Sequence, residues 1–164
     1  MELHEFKDTF DRYYHPVKNF LYYKLGDVAL AEDLVQEVFL KTWEKRDSVR
    51  LETVKSLLYT IASNLANNHF GSARARFEFE LKENIPHSTQ ENPQYLLENM
   101  EFKTRLEKAL ADLPENQRTV FLMSRMDDLT YTEIAERLKI SVKTVEKRMH
   151  EALGFLRNVP DQKI

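Results

Sequence analysis

Phe6, Phe10, Tyr13, Val17, Phe20 and Leu21 fall at three- and four-residue steps, the period of one helical face, and predict a first helix with an aromatic-rich stripe. Gly26-Asp27 ends it and starts the next. In the second segment Leu30, Leu34 and Val38 lie on one row and Val35, Phe39 and Trp43 on the adjacent row. That stripe is too wide for a single neighbouring helix to cover. A third helix, from about Leu51 into the seventies, carries Val54, Leu58, Ile61, Ala62 and Leu65 on its apolar side. Three such helices can enclose a core.

The pattern then stops. Asn84 to Pro93 is polar, contains two prolines and has no period, which reads as an exposed linker. The division expected is a first domain over residues 1–83, a flexible linker over 84–94 and a second domain over 95–164. A helix from about Pro93 to Asp112 comes next, followed by one that Leu113-Pro114 opens and that runs through Met126.

Residues Thr130 to Leu156 then spell two short amphipathic helices joined by a turn. Thr130 with Glu133 three residues on forms a capping box, so a helix begins at about Tyr131. Ile134, Ala135 and Leu138 face inward, and small Ala135 lets a second helix approach closely. Lys139 and Ile140 make the turn, without the glycine often found there. Ser141 caps the second helix, where Val145, Met149, Ala152, Leu153 and Leu156 form one apolar stripe. This is the grammar of a helix-turn-helix, whose second helix enters the major groove of DNA. Its outward residues are Val142 at the start, then Lys143, Thr144, Glu146, Lys147 and Arg148. Lys147 and Arg148 can donate to guanine or phosphate, Thr144 can bond a phosphate or touch a thymine methyl, and Glu146 can accept from cytosine.

Composition narrows the class. Three glycines, five prolines and 31% charged residues in 164 fit an all-α protein of two small helical domains. The absence of cysteine excludes disulfides, thiolate nucleophiles and cysteine-zinc sites. The histidines are scattered and no glycine-rich phosphate loop is present, so an enzyme is the least favoured class. No catalytic residue, cofactor, metal or small-molecule substrate is therefore expected. Without a signal peptide or a membrane-length apolar run, the chain is expected to be cytoplasmic and not inserted in a membrane.

The net charge of −3 is wrong for a protein that coats DNA by bulk electrostatics. Its distribution is informative: residues 137–157 hold six basic groups against Glu146 and Glu151, while residues 78–101 hold one basic group and six acidic ones. A modest basic footprint on a groove-binding helix predicts feeble DNA affinity for the isolated chain, so a partner has to carry it to its site.

Four stretches carry a resemblance: Asp27 to Trp43, Ser56 to Phe70, Ala109 to Arg118, and the helix-turn-helix. Together, in this order, they resemble the sigma-70 family of bacterial RNA polymerase initiation factors, and the brevity is similar to its extracytoplasmic-function group. The resemblance implies that the second helix docks on the clamp of core RNA polymerase, with Glu32, Asp33, Gln36, Glu37, Val38 and Leu40 as docking residues; the acidic stripe suits pairing with arginines. It implies that the third helix reads and melts the minus-ten promoter element through Tyr59, Ser63, Asn64, Asn67 and Asn68, with Arg74 and Arg76 tracking phosphate. Amides hydrogen-bond exposed base edges and aromatics stack on unstacked bases, which suits such a role. Asn64 matches the asparagine at the start of the family's reading loop. The residues from Val142 to Arg148 would read the minus-thirty-five element. The partners implied are core RNA polymerase through its clamp and flap, promoter DNA, and an anti-sigma factor. The rival reading is a stand-alone helix-turn-helix regulator, which explains residues 102–164 but leaves the first domain as a sensor or dimeriser.

Overall fold

The computed structural model describes residues 1–69 and 93–158, with the backbone alone for residues 93–100 and 102. All regular structure among these described residues is helical: seven α-helices and two single 3-10 turns.

Helix α1 spans Leu3–Leu25 and ends where Gly26 turns left-handed at φ 70°, its N–H donating to the carbonyl of Tyr22. Only glycine adopts that backbone without a Cβ penalty, which is why the first helix stops there. Asp27 accepts from the Leu30 N–H at 3.0 Å and so starts α2, Val28–Glu44. Two 3-10 turns, Arg46–Ser48 and Leu51–Thr53, lead into α3, Val54–Asn67. The third helix is thus shorter than its apolar pattern predicts. A 3-10 turn takes its first residues, and it closes at Asn67-Asn68, whose side chains compete for backbone hydrogen bonds. Residues 70–92, with most of the expected linker, lie outside the described residues.

The second half begins with α4, Pro93–Asp112, opened by a proline at its first position, where no backbone donor is lost to the helix. Then come α5, Glu115–Arg125, α6, Tyr131–Leu138, and α7, Val142–Leu156.

In the first half Val17, Phe20 and Leu21 of α1 meet Leu34, Val35 and Val38 of α2 and Leu58 and Ala62 of α3, all buried. Trp43 is half-buried rather than enclosed. It packs on Phe6 with ring centroids 4.9 Å apart and lies under the Arg46 guanidinium at 4.2 Å. In the second half Leu110, Val120, Met123, Ile134, Val145, Met149 and Leu156 are closed off from solvent.

These are not two separate cores: the buried residues of both halves form one continuous cluster. Helix α5 lies along α1, and α6 touches α3. A buried arginine ties the junction. Arg118, 6% exposed, donates through Nε to the carbonyl of Tyr23 at 2.8 Å and through Nη2 to that of Lys24 at 2.7 Å. Its Nη1 reaches the carbonyl of Leu113 at 3.2 Å. Tyr23 and Lys24 stand in the last turn of α1, where carbonyls lack helical partners and the helix dipole is negative, so a cation there satisfies both. Burial pulls Arg118 down to about 10, which leaves it charged at neutral pH. Beside it Lys24 pairs with Glu115 at 2.9 Å. Asp127 completes the junction: its Oδ1 accepts from the Tyr23 hydroxyl at 2.5 Å and from Asn19 Nδ2 at 3.3 Å. Burial raises the Asp127 carboxyl above its ordinary value against the opposing pull of those two donors, and raises the Tyr23 hydroxyl as well.

Candidate nucleic-acid interface

The helix-turn-helix is built by its caps. Thr130 Oγ1 accepts from the Glu133 N–H at 3.1 Å while the Thr130 N–H donates to Glu133 Oε1 at 3.1 Å, and these bonds hold the Glu133 carboxyl below its ordinary value. The missing glycine of the turn is replaced by Lys139, which itself turns left-handed at φ 58° and ψ 44°. The N–H groups of both Lys139 and Ile140 return to the Ala135 carbonyl, the bonding that closes a helix C-terminus. Ser141 Oγ then accepts from the Thr144 N–H at 3.1 Å and starts α7.

Val145, Met149, Ala152 and Leu156 fix the orientation of α7 by facing inward, with Leu153 half-buried at the margin. That leaves Val142 at 38% exposure, and Lys143, Glu146 and Lys147 open to solvent. Arg148 and Thr144 are half-buried, and the Thr144 hydroxyl shares a hydrogen bond with that of Ser141 at 2.9 Å. None of Lys143, Lys147 and Arg148 is held in an ion pair among the described residues. Three cations therefore remain free on the first turns of the helix, where base edges and phosphates are reached.

On α3 the residues expected to read DNA divide. Asn64, Asn67 and Asn68 are exposed and Ser63 is half-buried, so three amides and, at their margin, one hydroxyl can meet a partner. Tyr59 cannot in this arrangement: it is 2% exposed, its ring edge-on to Phe20 at 5.3 Å and beneath the Arg137 guanidinium at 5.7 Å. Burial pushes its hydroxyl up to about 12. Its expected stacking role is corrected to a packing role here, because α6 of the second half lies over that face of α3. Lys139 Nζ donates to Thr60 Oγ1, and Lys55 reaches Glu136 at 3.4 Å across the same junction. Arg74 and Arg76 lie outside the described residues.

On α2, Glu32, Asp33 and Gln36 are exposed and Leu40 is 57% exposed, an apolar side chain set in an acidic stripe. Glu37 is half-buried and faces Lys41 at 3.9 Å, one turn on. Val38 is corrected: at 0% exposure it belongs to the core, because it shares the row of Leu34.

Two family models match the chain in sequence order. The model for sigma-70 region 2 covers residues 9–76, and the model for sigma-70 region 4 covers residues 103–156. The ECF RNA polymerase sigma-E factor of Escherichia coli (strain K12) is 30% identical over 159 residues, spanning 90% of this chain and 82% of that protein. The chain belongs to the sigma-70 family, in its extracytoplasmic-function (ECF) branch. Another ECF relative, the sigma factor SigW of Bacillus subtilis (strain 168), is 28% identical over 162 residues, 93% of this chain and 87% of its own. In fold the chain is similar to the sigma factor RpoE of Bartonella quintana, solved in complex with the anti-sigma factor NepR, with a TM-score of 0.62 and 21% identity over 96% of this chain and 98% of that one. Regions 2 and 4 of the family thus correspond to the α1–α3 and α4–α7 halves. Among the described residues no helix is long and apolar enough to cross a membrane.

The junction residues Tyr23, Arg118 and Asp127 escaped the sequence reading. Arg118 carries one weak signal: it is a lone cation directly before the buried run Thr119 to Met123. Nothing local marks its partner.

Proposed function

We propose that the chain is an alternative sigma factor: it binds core RNA polymerase, carries it to promoters and helps open them, with no covalent chemistry of its own. The observation that supports this most is that one chain carries two exposed polar surfaces of different kind. The first turns of α7 offer free cations suited to a duplex groove, and the end of α3 offers a row of exposed asparagines suited to separated bases. In this reading residues 95–164 set the register at the minus-thirty-five element through Val142 to Arg148. Residues 1–83 hold minus-ten DNA through Ser63, Asn64, Asn67 and Asn68, joined by Arg74 and Arg76. The clamp of polymerase docks on Glu32, Asp33, Gln36, Glu37 and Leu40, and the factor acts in the cytoplasm.

The closed junction sets an order of events. In the closed chain α6 covers the Tyr59 face of α3, so docking on polymerase parts the two halves before melting. An anti-sigma partner that holds them together would block both surfaces; purifying the inactive factor without any bound inhibitor would count against that partner.

In vitro transcription with purified core polymerase on a pool of promoter fragments tests the reading. Specific transcripts are expected only when the chain is added. No transcript, together with tight duplex binding in the absence of polymerase, would favour the stand-alone regulator.

A further inference from the structure

Between the end of α2 and the first turns of α3 lies an open pocket of about 420 Å³ that neither DNA-reading surface uses. Three of its lining residues are cations, Lys45, Arg50 and Lys139, and none is a carboxylate. Neither Lys45 nor Arg50 is held in an ion pair among the described residues. The hydroxyl-bearing Ser56 and Thr60 line the same recess. In a chain of net charge −3, three like charges around one recess repel each other unless an anion sits between them.

The chemistry selects the anion. An arginine fork and two ammonium groups match the oxygens of phosphate, and hydroxyl donors complete its shell. More than one negative charge is needed to balance three cations, and the volume accommodates two linked phosphate groups. The cations come from both halves: Lys45 and Arg50 from the loop after α2, Lys139 from the turn between α6 and α7. Lys139 reaches the recess only while its turn lies against α3, where Nζ donates to Thr60 Oγ1. An anion held by all three would bind the closed form and not the open one, and would shift the equilibrium toward closure.

We propose that this pocket binds a small phosphate-bearing anion of pyrophosphate size and that the bound anion clasps the two halves together. This goes beyond the promoter-reading role and does not depend on it. The same chemistry is offered by a DNA backbone phosphate, but that source does not require Lys139 beside the other two.

Calorimetric titration of the full chain with sodium pyrophosphate tests it, with sodium chloride at matched ionic strength as control. Saturable one-to-one binding and a rise in unfolding temperature are expected, and Lys45→Ala/Arg50→Ala and Lys139→Ala should each weaken binding by about tenfold or more. Charge reversal in Arg50→Glu should abolish it, while Asn64→Ala leaves it unchanged; circular dichroism checks that each variant folds. No saturable binding to the wild type, or an equal effect of chloride, would overturn the site. Loss with Lys45→Ala/Arg50→Ala but not with Lys139→Ala would overturn the clasp. If instead those substitutions weaken a short DNA fragment while pyrophosphate does not bind, the cations serve the DNA backbone and the proposal fails.

Discussion

Helices α3 and α7 both carry residues suited to DNA, yet they are presented in opposite ways. The cations of α7 stand free because a four-residue apolar stripe and two hydroxyl caps orient the helix within its own half of the chain. The face of α3 is divided: its asparagines are open, but Tyr59 is sealed beneath the other half of the same chain. One surface is set by local packing and the other is conditional on the junction. Groove reading and strand separation can therefore be perturbed independently.

The largest effect is expected where the surface is unconditional. Lys147→Ala/Arg148→Ala should cost about 3 kcal/mol of promoter binding, on the order of a hundredfold, with little change in stability. Electrophoretic mobility assays of the polymerase complex measure it. An unchanged affinity would remove the contrast between the helices.

Next comes the junction. Arg118→Met leaves three carbonyls without a buried donor and should cost about 3 kcal/mol. Thermal unfolding should then fall by roughly 6–12 °C. Tyr59 should become accessible to a solvent quencher in the variant; a lower melting temperature with Tyr59 still shielded would break the link between junction and reading face.

Asn64→Ala acts on the open part of the α3 face. It is expected to lower open-complex formation by about tenfold while leaving the closed promoter complex almost intact, because its amide meets a base only after strands separate. Permanganate footprinting against filter binding separates the two, and equal loss in both would count against this role.

The smallest effect is a pH dependence. Asp127 is half-buried and desolvation raises its carboxyl, so the folded closed form holds the proton more tightly than the unfolded chain. Wild type should therefore gain stability relative to Asp127→Asn as pH falls from neutral toward 3.8, the ordinary value of the group. Parallel denaturant titrations over that range measure it; a gain on raising pH instead would contradict the burial of the carboxyl.

The helices and the helix-turn-helix were legible because their signals are local. Thr130, Glu133 and Ser141 announce two helix starts, and the rows of Leu34 and Val145 announce which faces turn inward. The same row logic places Val38 in the core, against the docking role that the resemblance implies. What was not legible is what packs on what. Tyr59 lies next to the row of Leu58 and Ala62, and no periodicity tells whether an aromatic there meets solvent, DNA or another helix. Arg118 and Tyr23 stand 95 residues apart, and the carbonyls that hold the arginine belong to the backbone, which every sequence offers equally. The turn at Lys139 and Ile140 was legible from the caps on either side of it, although Lys139 takes the left-handed backbone that glycine adopts most readily.

On this reading the closed chain must part to work, and a reversible lock decides whether it does. The chain has no native cysteine, so Lys55→Cys/Glu136→Cys can be bridged by a short reducible thiol reagent across the 3.4 Å junction pair. With core polymerase, the unbridged variant is expected to support specific transcripts, the bridged form to support none, and reduction to restore them. Full activity from the bridged chain would show that the halves need not part.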